Sequence, residues 1–214
     1  MARKPASPPP SADAARILDA AIELAEAGSW EAVRLHDVAQ TLGIGLEDIG
    51  AHYREKEDLV EAWFDRADRA MLLDAATPEF TALGTRERLA RAIFAWLEPL
   101  AAHRRVTREM IINKLEPGHL HFQIPALLRI SRTVQWLREA AGRESTFVWR
   151  ALEETATTAI FVATFCGWLY DDSGNAARSR AFLDRRLRCA ETFAHRVYGA
   201  GRKPAPPGHD APRP

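Results

Sequence analysis

The chain has 214 residues, 47% of them hydrophobic and 27% charged, an ordinary globular mixture with enough length to bury a sizeable core. Its 29 basic and 29 acidic residues balance, which excludes a uniformly basic coat for nucleic acid and an acidic solvating tail. The two cysteines, Cys166 and Cys189, are too few for a disulfide framework and point to a reducing, cytoplasmic setting.

Residues 1–12 carry four prolines and no apolar run, so they read as a disordered arm with no export signal. The next segment repeats apolar residues at helical spacing: Ile17, Ala20, Ala21, Leu24 and Ala25. Gly28-Ser29 ends that helix. Two short helices follow, over 35–42 and 46–52, joined through Gly43. A bridging helix is predicted over 55–74, with Leu59, Trp63, Ala67 and Ala70 on one stripe. Thr77-Pro78 and Gly84 break the chain before the stripe Leu89, Ile93, Trp96, Leu97 and Leu100. Pro117-Gly118 and Pro125 bracket a loop, and Gly142 ends the helix that carries Val134 and Leu137. The last two helices are predicted over 144–170 and 176–198, separated by a turn at 171–175 that supplies an N-cap. Residues 201–214 read as a second disordered tail.

No strand pattern appears, so the fold class is all-α, with about nine helices. Residues 155–170 form the longest uncharged stretch, sixteen residues with four threonines. That is short of the roughly 20 needed to span a bilayer, so a buried helix is expected and no stable membrane span. The expected organisation is a small helical module over 13–53, then a linker helix and bundle over 54–200.

The helix–turn–helix order between Ile17 and Trp63 is the most informative feature. Val38, Ala39, Leu42, Ile44 and Ile49 would form its core. The pieces Ile17-Leu18-Asp19-Ala20-Ala21, Trp30-Glu31-Ala32, Asp37-Val38-Ala39, Leu42-Gly43-Ile44, His52-Tyr53 and Lys56-Glu57-Asp58-Leu59 resemble, in one register, the TetR family of transcriptional regulators. The resemblance implies a homodimer whose helix-turn-helix units bind operator DNA and whose C-terminal bundle holds a small apolar effector. By that resemblance the DNA-facing residues are Arg34, Gly45, Leu46, Asp48, His52, Tyr53 and Lys56.

This chain departs from the family pattern in its third helix. Glu47 and Asp48 place a carboxylate pair where a recognition helix enters the major groove, and Gly50 stands where the family usually has an aromatic. Residues 13–63 hold four basic and twelve acidic side chains, net −8. Carboxylates accept from cytosine N4 but repel phosphate. Arg3 and Lys4 on the arm are the candidates for a minor-groove contact.

A second resemblance lies in the C-terminal half. Trp149-Arg150, residues 159–170, Asp172-Ser173 and Phe182-Leu183-Asp184-Arg185-Arg186-Leu187 are similar to the closing helices of lipid-binding accessory proteins of ubiquinone biosynthesis. That family shares the TetR fold, and the resemblance implies a helix-turn-helix that does not act on DNA and a bundle that holds isoprenoid lipid. Its membrane-contacting C-terminal helix has no counterpart in the proline-rich tail here.

Both resemblances imply an apolar or lipid-like small molecule in the bundle. Candidate lining residues are Phe94, Trp96, Met110, Phe122, Trp136, Phe147, Phe161, Phe165 and Trp168, although aromatics at helical spacing mostly pack as core. The dimer seam expected from resemblance uses the last two helices, where Ala156, Ala159, Ala163, Gly167, Ala190 and Ala194 permit close approach. Arg178, Arg180, Arg185, Arg186 and Arg188 read as a solvated helix face moderated by Asp184 and Glu191.

Enzyme signatures are missing. There is no G-x-S-x-G turn and no Walker lysine, and the glycines at 43, 45 and 50 have the wrong spacing for a dinucleotide loop. His119 and His121 with Glu116 form a weak metal-ligand set without a second cluster. The expectation is a binding protein without metal, cofactor or catalytic residue. It is either a one-component regulator or a lipid-binding accessory protein.

Overall fold

A computed structural model describes residues 12–114, 120–142 and 147–200. The arm, the tail, and Glu116 and His119 of the metal-ligand set lie outside these, as do the side chains of Phe122, Phe147 and His121. Ten α-helices and two short 3₁₀ segments are present, with no strand among the described residues. One of the ten, α5 (Pro78–Thr81), is a single turn started by Pro78 and capped by the Thr77 hydroxyl, which accepts from Phe80 N–H.

The N-terminal module comprises α1 (Ala12–Ala27), α2 (Leu35–Leu42) and α3 (Leu46–Gly50). Helix α1 forms because its 3.6-residue stripe has somewhere to go: Ile17, Ala20, Ala21 and Ala25 are all buried. Val38, Ala39 and Ile49 are buried beneath it, with Leu42 and Ile44 packed at the edge. Gly43 ends α2 at φ 67°, a left-handed conformation that favours glycine, and the N–H of Ile44 closes the turn onto the Ala39 carbonyl at 3.1 Å.

Helix α4 (Lys56–Ala75) carries the chain from the module into the bundle. Asp58 starts it by accepting from the main-chain N–H groups of Arg54 and Glu55. Leu59, Trp63, Ala67 and Met71 are fully buried against α6 (Thr85–Leu97), and α4 also touches α1 and α8 (Leu120–Ala140). The stripe Leu89, Ile93, Trp96, Leu97 and Leu100 is buried as its spacing predicts. Helix α7 (Arg104–Lys114) returns to pack on α1, and α9 (Phe147–Trp168) and α10 (Ala177–Ala200) close the bundle. No helix among the described residues is long and apolar enough to cross a membrane.

The turn between α9 and α10 is built around the buried Asp171. Its carboxylate accepts from the main-chain N–H and hydroxyl of both Ser173 and Ser179. The Ser173 hydroxyl in turn accepts from Arg178 N–H at 3.1 Å, so side chains of the turn satisfy the first-turn N–H groups of α10 at Arg178 and Ser179. Arg104 of α7 donates to the Asp171 carbonyl and stacks on Trp168 at 4.4 Å.

Candidate nucleic-acid interface and effector bundle

The solvent face of α3 is short and sparse. Leu46, Glu47, Asp48 and Gly50 are exposed around a single buried anchor, Ile49, and Ala51 and His52 continue the exposed surface. Asp48 is partly committed, since it accepts from Gly45 N–H at 3.0 Å and so starts its own helix. A Cβ placed on Gly45 would lie 2.3 Å from the Glu47 carboxylate carbon, so the missing side chain makes room for Glu47. His52 and Asp48 border a cleft of about 280 Å³ whose floor includes Ile17, Leu42 and Ile44. His52 thus faces the gap toward α1.

Two of the residues expected to face DNA are turned inward. Tyr53 is 6% exposed, and its hydroxyl donates to the Ala14 carbonyl at 2.9 Å. Its pKa is raised, burial being the largest cause. Tyr53, in the turn that follows α3, therefore ties that turn to α1. Lys56 donates from Nζ to the Trp30 and Glu31 carbonyls and lies 4.9 Å over the Trp30 ring. Burial lowers its pKa against the pull of Glu57 and Glu31. Arg34 is exposed, but it pairs with Asp37 at 3.1 Å. The expected basic contacts are thus largely committed within the module.

The module is joined to the bundle through α1 and α7 as well as α4. Arg105 donates to the carbonyls of Ala25, Glu26 and Gly28, the otherwise unpaired acceptors at the C-terminus of α1. Glu109, itself paired with Arg105 at 2.7 Å, accepts from Trp30 N–H at 2.7 Å. Sequence spacing carries no sign of this clasp, because its residues lie almost eighty positions apart.

In the bundle, Phe161 and Trp168 are buried and Phe165 is half-buried, and they meet ring on ring. Trp96 stands edge-on to Phe161 and Phe165, with centroids 5.1 and 5.3 Å apart, and stacks on Phe64 at 5.8 Å. Met110 is fully buried, Trp136 is half-buried, and Phe94 lies 3.9 Å under the Arg180 guanidinium. Beside this cluster is a polar centre that residue spacing did not reveal. Asp68 accepts from Trp96 Nε1 at 2.7 Å, Thr133 Oγ1 at 2.9 Å and Arg129 Nη2 at 3.1 Å. Burial pushes its pKa up, against the lowering effects of Arg129, Trp96 and Thr133. Arg129 also reaches Asp65 at 2.6 Å and Glu61 at 3.2 Å. One signal was available: Asp68 stands four residues after Phe64 and three before Met71, on an otherwise apolar stripe.

On the outer side of α9, Ala163, Cys166, Gly167 and Tyr170 are exposed, and Ala156 is half-exposed. On α10, Ala190 and Ala194 are half-exposed, and Cys189 and Phe193 are exposed, Phe193 at 60%. A small-residue face next to an exposed phenylalanine is the composition of a helix-packing surface. The arginines of α10 are held locally, Arg188 by Asp184 and Arg180 by the Asn175 carbonyl. Among the described residues no three metal-ligating side chains converge.

An N-terminal helix-turn-helix joined by a long helix to an all-helical bundle is the architecture of one-component transcriptional regulators. The chain is 46% identical to a TetR transcriptional regulator from Nitrosomonas europaea ATCC 19718, with a TM-score of 0.76 over 84% of this chain and 98% of that one. It also shares its fold with a TetR transcriptional regulator from Rhodococcus sp. RHA1, at 19% identity and a TM-score of 0.61, over 83% of this chain and 94% of that one. No protein-family model matches the sequence, and no curated protein matches it. The chain belongs to the TetR family of transcriptional regulators. The Nitrosomonas match runs through both halves, and it lends no support to the ubiquinone accessory reading of the C-terminal helices.

Proposed function

We propose that this protein is a cytoplasmic one-component regulator and not an enzyme: a homodimer that binds operator DNA through α2 and α3 and an apolar small molecule in the bundle. The observation that carries the reading is the intact α2–Gly43–α3 unit, which buries Ile49 and leaves the rest of α3 exposed, in a chain 46% identical to a TetR regulator. Residues 13–53 would form the reading module and 54–200 the sensing and dimerising bundle. Effector binding among the bundle aromatics would alter the packing of α4, whose Asp68, Asp65 and Glu61 grip Arg129 of α8. The net charge of −8 over residues 13–63 predicts weak non-specific affinity and a strong dependence on the right sequence.

The test is capture of genomic fragments at low salt, followed by titration on any enriched fragment. The expected result is a reproducible fragment that is released as salt rises. A folded dimer that enriches no fragment would overturn the reading.

A further inference from the structure

We propose that the cleft between α1 and α3 is a docking seat for the protein's own N-terminal segment, residues 1–11. The cleft has a volume of about 280 Å³. Its floor is apolar, made by Ile17 of α1 with Leu42 and Ile44 from the end of α2 and the turn after it. Its rim is polar, with Asp13 and Arg16 on α1 facing Asp48 and His52. This goes beyond the DNA-binding reading, and the docking is tested without DNA.

Position, composition and charge select the occupant. The segment joins α1 at Ala12, one residue before the rim residue Asp13, so it enters the fold beside the cleft. It holds four prolines, whose flat apolar rings suit the floor and the ring of His52. Proline-rich segments dock in such grooves because they have few conformations to lose. Nine positions separate Arg3 from Ala12, a polyproline reach of up to about 28 Å, against about 10 Å for the thickness of a helix.

Arg3 and Lys4 are the only charged side chains in the segment, and both are basic. The rim carries two carboxylates against one guanidinium. Arg16 lies 3.8 Å from Asp13 in an exposed pair that solvent weakens. Asp48 Oδ2 accepts from Gly45 N–H, which leaves Oδ1 for another donor. Residues 13–63 are net −8, so the field around the seat attracts a cation and repels an anion. A docked segment covers Ala51 and His52 and holds Arg3 and Lys4 away from DNA phosphates. On the DNA-binding reading, α3 then meets a groove only after the segment leaves.

The experiment is disulfide trapping in the full chain, with the exposed Cys166 and Cys189 replaced by serine. Ser7→Cys is paired with Ala51→Cys, which lines the cleft, or with Ala15→Cys, which is nearer the join but does not line it. Diamide is the oxidant, and each closure rate is divided by that site's rate with a small soluble disulfide. The Ser7–Ala51 pair is expected to close within one chain at least about fivefold faster than the Ser7–Ala15 pair. Adding Arg3→Gln and Lys4→Gln is expected to slow the Ser7–Ala51 closure about threefold, as is high salt, and to leave Ser7–Ala15 unchanged. These two residues precede α1, so the module keeps its fold in that variant. Equal rates for the two pairs, with helical content retained, would show that the cleft does not seat the segment. A rate indifferent to Arg3, Lys4 and salt would overturn the proposal too, because charge then does not hold it. A covalent dimer in place of closure within one chain would assign the cleft to a second copy and overturn it equally.

Discussion

Trp96 of α6 donates its indole N–H to Asp68 of α4 at 2.7 Å, inside a core where Asp68 is only 7% exposed. The same carboxylate binds Arg129 and Thr133 of α8, so one buried charge ties three helices together. Removing one partner of such a centre strands the others away from water.

Asp68→Ala is therefore expected to lower stability by about 3–5 kcal/mol, because Arg129 and the Trp96 indole lose their shared acceptor. Asp68→Asn is expected to lose less, since its amide oxygen still accepts from Trp96 and Thr133 while Arg129 keeps Asp65 and Glu61. Urea unfolding of the two variants checks this. Asp68→Ala within about 1 kcal/mol of wild type would show that the centre is solvated or dispensable.

Asp171 gives a pH signature. Burial works to raise its pKa, but the hydrogen bonds from Ser173 and Ser179 outweigh that and hold the carboxyl well below the usual carboxylate range. A pKa lower in the folded state than the unfolded value of 3.8 means stability that is present above 3.8 and is lost as pH falls through the folded value. Asp171→Asn is expected to cost about 2 kcal/mol near neutrality. The gap between wild type and variant should stay constant above about pH 5 and narrow as acid is added below 3.8. Unfolding midpoints measured across pH test this, and a gap independent of pH would contradict it.

Tyr53→Phe separates a structural role from a DNA contact. The variant is expected to lose about 1 kcal/mol of stability, because the Ala14 carbonyl loses its donor. Affinity for an operator fragment and its salt dependence should not change. A drop in affinity at unchanged stability would place the hydroxyl on DNA instead.

Ala163→Arg tests the exposed face of α9. A charged, long side chain at a helix seam blocks close approach, so the expected outcome is a shift from dimer to monomer mass in sedimentation, with helical content retained. A variant that remains dimeric would move the interface elsewhere.

Much of the architecture was legible in the residues alone. The stripes through Ile17, Leu59 and Leu89 set helices because helical spacing lines up their apolar side chains on one face. Gly43 marked the turn because left-handed backbone favours glycine. Asp171 and Ser173 marked the last turn, since short polar side chains reach their own backbone. These are local effects, and they repeat wherever the local pattern does.

What the residues alone did not decide was which polar groups turn inward. Tyr53 and Lys56 read as DNA contacts in the family register, yet Ala14 and the Trp30–Glu31 carbonyls claim them. Asp68 and Arg129, sixty-one positions apart, meet only where α4 and α8 pack together. Arg105 caps a helix almost eighty residues earlier in the chain. A polar side chain is satisfied by whichever partner lies in reach, and for these residues that partner is brought into reach only by tertiary packing.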